Sequence, residues 1–352
     1  GWYKFIGCCG AEKNNGILSQ FDGRFGYLDS WYFAYHSWRN KHAPAMFHKG
    51  WGNQAAIDAV SAQWQVIGST ATPAVAWDDE WRIGYEGVYV RNGHFPTPAH
   101  CEYLPPESHT AFFRFVRPQW PRGESAALLM PASREVGVEA RMPIARTLAK
   151  RGISTVLLES PLMGRRQSPQ QVGTMLSHFS DFLVLSACAI NEGQSLIQWL
   201  GQMDFKAICV AGISKGGYLA TVAGMRSPDS VRIVSVVAPH SGVAVLLEGL
   251  LGRLCDWDLL QKSSGESKPV RQHMAEVFDR TSLERLPLPS EARRLIVIGA
   301  TNDRYVPASS QQRMQSLWGD RADYRWLPGG HVSSIAESSH VIDAITEALA
   351  LD

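Results

Sequence analysis

The run AICVAGISKGG, residues 207–217, decides the fold. Its first half is continuously apolar, which reads as a strand buried on both faces. It then passes through Gly212, Ser214 and Gly216, a G-x-S-x-G spacing, into the helical pattern YLATVAGM (218–225). A strand turning at once into a helix forces the residue at the turn into a strained backbone conformation. The positions two before and two after it must then be tiny. The expectation is a serine hydroxyl held above the carboxyl end of a strand, beside the positive end of the following helix.

Working outward, the same rhythm recurs. Short apolar runs at 126–130, 155–158, 207–211, 233–238 and 295–298 alternate with helical patterns near 138–151, 180–203, 215–226, 308–318 and 332–350. TAFFRFV (110–116) reads as a further strand. Repeating strand-then-helix units predict an α/β fold, with a mostly parallel central sheet flanked by helices. From Gly242 to Glu291 the rhythm breaks. Two helical stretches there are separated by QKSSGESKP (261–269), which predicts a helical cap inserted at about 243–290. Residues 1–92 are aromatic-rich and irregular, with Trp31, Tyr32, Phe33, Tyr35 and Trp38 on what could be one helix face. They read as a cover packed on a domain spanning 93–352, the alternative being a docking surface for an apolar ligand or partner.

Composition narrows the function. Hydrophobic residues make up 45% of the 352 and charged residues 19%, so the chain has enough apolar surface to fold. Its 34 basic side chains stand against 33 acidic ones, so nothing favours nucleic acid as a partner. No apolar stretch is long enough for a membrane span. Six cysteines are too few for a disulfide scaffold. Cys188 and Cys209 read as buried thiols in a helix and a strand, while the adjacent Cys8 and Cys9 could carry a lipid. These features favour an intracellular setting, cytosolic or organellar, and no secretory h-region is visible. No C-x-x-C, H-E-x-x-H or dinucleotide G-x-G-x-x-G is present, so neither metal nor cofactor is expected.

A serine nucleophile needs a base, and the base needs a carboxylate to orient it. After a G-x-S-x-G turn the chain order should be serine, acid, histidine. RLIVIGATNDRYVP (294–307) places Asp303 after an apolar strand, and YRWLPGGHVSS (324–334) places His331 after another. Rival bases are His240, His273 and His340. Rival acids are Asp256 and Asp279, both in the cap. For the oxyanion, one donor should be the amide of Lys215. The other should come from the loop after 126–130, where Pro131 has no N–H and Ala132 or Ser133 remains. His240, Tyr218, Arg165 and Arg166 are further candidates for the pocket wall, the two arginines for an anionic head group. The reading is a serine hydrolase that cleaves carboxylic, acyl or lipid-like esters of small molecules. The alternatives are a peptidase or amidase with the same residues, and a degenerate hydrolase that only binds. The sequence sets no oligomeric state.

Several segments resemble the α/β-hydrolase domain-containing protein 18 family. They are FHKGWG (47–52), GHFPTPAHCEYLP (93–105), LLESPLMGRRQSPQQ (157–171), GISKGG (212–217), HSGV (240–243) and GGHVS (329–333). The resemblance implies an α/β-hydrolase fold, a serine-hydrolase-like site, and Ser214, Asp303 and His331 as the matching catalytic positions. This chain departs from the family pattern at three places. Lys215 stands where relatives usually carry Met, Tyr218 where they carry His, and MPASREVG (130–137) where they tend to be glycine-rich.

Overall fold

The computed structural model describes residues 25–39, 41–64, 71–84, 87–119, 124–203, 205–290 and 294–350. Cys8 and Cys9, and with them the lipidation reading, lie outside the described residues.

Each apolar run becomes a strand. β1 (Ala76–Trp77), β2 (Arg82–Ile83), β3 (Tyr89–Pro96) and β4 (Thr110–Arg117) precede β5 (Ser125–Leu129), β6 (Ile153–Leu158), β7 (Ala207–Ile213), β8 (Arg232–Val236), β9 (Leu295–Ala300) and β10 (Asp323–Leu327). They form one sheet in the order β1-β3-β4-β6-β5-β7-β8-β9-β10, with β2 also on β3. Neighbours from β6 through β10 pair in parallel, and β1 to β4 join antiparallel. The sheet is thus mixed, its parallel half holding the expected core. β3 runs through position 92, where the sequence reading placed the edge of the cover.

The helices are α1 (Phe25–Arg39), α2 (Gln54–Gln63), α3 (Met142–Lys150), α4 (Phe179–Gly201), α5 (Lys215–Met225), α6 (Trp257–Ser263), α7 (Val270–Arg280), α8 (Ala308–Trp318), α9 (His331–Ala336) and α10 (Ser339–Leu349). The C-terminal pattern read as one helix over 332–350 is therefore two. α3 shows the logic of a covering helix. Met142, Ile144, Ala145, Leu148 and Ala149 are buried, whereas Arg146, Thr147 and Lys150 are not. Leu148 is fully buried, and burying such a side chain stabilises the fold by roughly 1.5–3 kcal/mol. Apolar side chains of α3 and α10 cover one face of the sheet. Those of α2, α4, α5 and α8 cover the other, together with the α6–α7 segment.

The chain leaves β5 through α3 to β6, then crosses back through α4 to β7 on the far side of β5. The order reverses between β5 and β7. In open α/β sheets the loops part at such a reversal and leave a crevice at the carboxyl ends of the strands. The loops after β5, β7, β9 and β10 all open at that edge.

Arg165 and Arg166, expected near the pocket, do not line it. Arg165 pairs with Glu159 and lies 3.7 Å over the ring of Phe112. Arg166 is fully buried and pairs with the equally buried Glu192, which also accepts from Thr97 Oγ1. A guanidinium with that many fixed partners is a staple between the 97–108 segment and α4. Arg166→Met should cost about 3–5 kcal/mol in a denaturant titration, because it strands a buried carboxylate. Arg166→Met/Glu192→Leu should recover most of that loss. A double variant no more stable than the single would contradict the pairing as the cause.

Candidate active site

The turn after β7 has the predicted steric form. Ser214 sits at φ 57 and ψ −125, a conformation that costs an ordinary side chain of order 1–3 kcal/mol. A Cβ at Gly212 would lie 2.2 Å from the carbonyl carbon of Gly216, and one at Gly216 would lie 2.7 Å from the carbonyl oxygen of Met130. The strain is held in place by the Ser214 amide, which donates to the carbonyl of Val236 at 2.8 Å.

Three distant side chains meet here. His331 Nε2 lies 3.0 Å from Ser214 Oγ, and His331 Nδ1 lies 2.6 Å from Asp303 Oδ2. The other carboxylate oxygen of Asp303 accepts from the amides of Tyr305 and Val306, at 2.8 and 2.7 Å. These bonds fix the carboxylate on the loop after β9. His331, which follows β10, is the first residue of the short helix α9. Tyr305 stacks on its ring at 5.2 Å. Both His331 and Asp303 are buried. Burial pulls the imidazole pKa down, but the charge and hydrogen bond of Asp303, with the charge of Asp29, outweigh it and leave the pKa raised.

The rival groups are engaged elsewhere. His240 Nδ1 lies 2.8 Å from Ser310 Oγ. It is buried behind the pocket wall, which its neighbours Pro239 and Ser241 line instead. His273, on α7, packs its ring against Trp51, and His340 lies within α10. Asp256 caps α6 through the amide of Leu259, and Asp279 pairs with Arg285.

Asp29 had no signal in the sequence. It is a lone acid in the aromatic helix α1, yet it is fully buried. Its carboxylate accepts from the amides of His331 at 2.9 Å, Val332 at 2.9 Å and Arg304 at 3.0 Å. Burial pushes its pKa up against those three amides. Three donors and no acceptor around its oxygens favour the ionised form. One carboxylate thus ties the loop bearing Asp303 to the helix bearing His331. A Cβ at Gly330 would come within 2.8 Å of it.

Of the amides expected to face an oxyanion, Ala132 is already used. It donates to Glu135 Oε2 at 3.0 Å, and Glu135 pairs with the buried Arg141 at 2.7 Å. Arg141 in turn donates to the carbonyls of Leu129 and Leu158. This network rigidifies a loop that lacks the usual glycines, and it consumes the Ala132 N–H. Among the described residues, the amides of Lys215 and Ser133 find no acceptor.

Beside Ser214 lies a pocket whose empty space, open solvent included, is about 550 Å³. Its wall combines Trp64 from the segment before the sheet, Phe182 and Leu183 from α4, and Val245 and Phe278 from 243–290. Ser133, Lys215 and Tyr218 also face it. Tyr218 belongs to this wall. It stacks on Trp64 at 5.8 Å and donates its hydroxyl to the carbonyl of Thr281. Among the described residues, no group of three or more His, Cys, Asp or Glu could hold a metal ion. Nor is any helix among them long and apolar enough to cross a membrane.

Comparison with solved structures places the fold. An acetyl xylan esterase from Paenibacillus sp. R4 superposes with a TM-score of 0.59 at 11% identity, over 84% of this chain and 96% of that one. Acetyl xylan esterase 1 from Thermoanaerobacterium sp. JW/SL YS485 gives 0.55 at 12%, over 83% and 92%. A cold-adapted esterase from an Arctic intertidal metagenomic library gives 0.51 at 12%, over 78% and 100%. At these identities the likeness is one of fold. The sequence model of the family described as alpha/beta hydrolase domain containing 18 matches residues 44–268 and 261–351, nearly all of the sheet and its covering helices. The chain belongs to the α/β hydrolase domain containing 18 family.

Proposed function

We propose that the protein is a serine hydrolase cleaving carboxylic esters through an acyl-enzyme. The observation that carries this is the hydrogen-bonded line from Ser214 Oγ through His331 to Asp303. His331 Nε2 takes the Ser214 proton as Oγ attacks the acyl carbon. Asp303 holds the proton on Nδ1 and stabilises the imidazolium. The amides of Lys215 and Ser133, which have no acceptor among the described residues, donate to the oxyanion. His331 then gives its proton to the departing alkoxide. A water, deprotonated by the same ring, releases the acid and frees Ser214. The largely apolar cavity beside Ser214 supports an acyl chain as the part bound there.

The test is turnover of 4-nitrophenyl esters of graded acyl length, beside aminoacyl anilides, with the Ser214→Ala variant as control. Hydrolysis of the esters by the parent alone is expected. Faster turnover of the anilides would move the assignment to an amidase. No turnover of either would favour a binding protein.

The base must be neutral to accept a proton, so kcat/KM should fall on the acid side at the His331 pKa. That pKa lies above the ordinary histidine value. Asp29→Asn removes one of the two charges that raise it. The acid limb of the pH profile should therefore move to lower pH in this variant. A limb in the same place would show that Asp29 holds the backbone without acting on the ring.

A further inference from the structure

We propose that the cavity selects esters whose acyl chain carries a carboxylate, with Lys215 as the specificity-determining residue. This rests on the assignment of Ser214 as nucleophile. Lys215 follows Ser214 directly, so its backbone and its side chain serve different ends of one substrate. The amide stays at the turn, and the side chain runs along the cavity wall until its ammonium lies 4.8 Å over the ring of Phe182. Phe182 packs edge-on against Phe47 and Phe278, so the face offered to the ammonium is fixed.

The ammonium has a poor environment for a charge. No acidic side chain lines the cavity among the described residues, and Lys215 makes no ion pair among them. A single aromatic face compensates only part of the lost hydration. Burial accordingly pulls its pKa down to about 7. A substrate anion reaching this point would supply the missing partner at the moment of binding. The charge it would meet is single. Lys215 is the one Lys or Arg side chain lining the cavity among the described residues. A point charge with no guanidinium beside it matches a carboxylate better than a dianionic phosphate, which usually collects several donors. The hydroxyl of Ser241 on the same wall accepts from the Val243 amide and keeps its own proton for a remaining lone pair. A purely alkyl chain would leave the ammonium unpaired and gain less.

Two measurements test this. The first compares 4-nitrophenyl monoadipate with 4-nitrophenyl hexanoate, an acyl chain of the same length without the charge. The parent should favour the adipate in kcat/KM by about tenfold, and Lys215→Met should abolish the preference, while Lys215→Glu should invert it. An equal ratio in the parent and Lys215→Met would overturn the proposal. The second needs no turnover. Calorimetric binding of monomethyl adipate to Ser214→Ala should be about tenfold tighter than to Ser214→Ala/Lys215→Met. Equal affinities, or no binding to either, would also overturn it. Lysine-dependent binding with no ester turnover by the parent would instead count against the esterase assignment and leave the anion site standing.

Discussion

Ser214→Ala is expected to lower kcat on a short acyl ester by at least about ten-thousand-fold, with the melting temperature nearly unchanged. Nothing near the serine can take its place. Lys215 projects away along the cavity wall, and the Nε2 of His331 is directed at Ser214, with no hydrogen bond joining Ser133 to a base among the described residues. The variant keeps the imidazole, the carboxylate and the two free amides, so any residual rate would come from oxyanion stabilisation and binding alone. The measurement is steady-state turnover beside a thermal melt. A variant that keeps more than about one hundredth of the parent rate would remove Ser214 from the chemistry.

Asp303→Asn should cost nearly as much, about ten-thousand-fold in kcat, for a different reason. The amides of Tyr305 and Val306 both donate to Asp303 Oδ1. An asparagine keeps its carbonyl oxygen there and turns its NH2 towards His331 Nδ1. That nitrogen must then accept, so the ring proton moves to Nε2 and points at Ser214. The base is lost while the packing stays. Because the three groups act as a unit, Ser214→Ala/Asp303→Asn should be no slower than Ser214→Ala alone. A double variant slower by the product of the single effects would mean that Asp303 acts independently of the serine.

Much of this arrangement is legible in the sequence because it is written in short segments. A buried parallel strand has apolar side chains on both faces, so 126–130, 207–211 and 295–298 stand out as unbroken runs. The turn at Gly212, Ser214 and Gly216 is a local steric requirement and leaves a local mark. Asp303 and His331 follow strands in the order the fold demands. The departures arise where long-range partners decide. Ala132 reads as a free amide until Glu135 folds back on it, held by Arg141. Arg166 reads as a cation for the pocket wall because its partner, Glu192, is distant in sequence, in α4. Asp29 carries no signal at all, since the amides it meets belong to the other end of the chain. The cavity wall draws on Trp64, α4 and the 243–290 segment together, and no single window of sequence contains that grouping.

The most direct measurement is the reaction of the intact protein with a fluorophosphonate, followed by mass spectrometry of the modified peptide. An adduct on Ser214 of the parent, forming much more slowly in His331→Ala, is the predicted result. No adduct on Ser214, or one that forms equally fast without the imidazole, would contradict activation of that hydroxyl by His331.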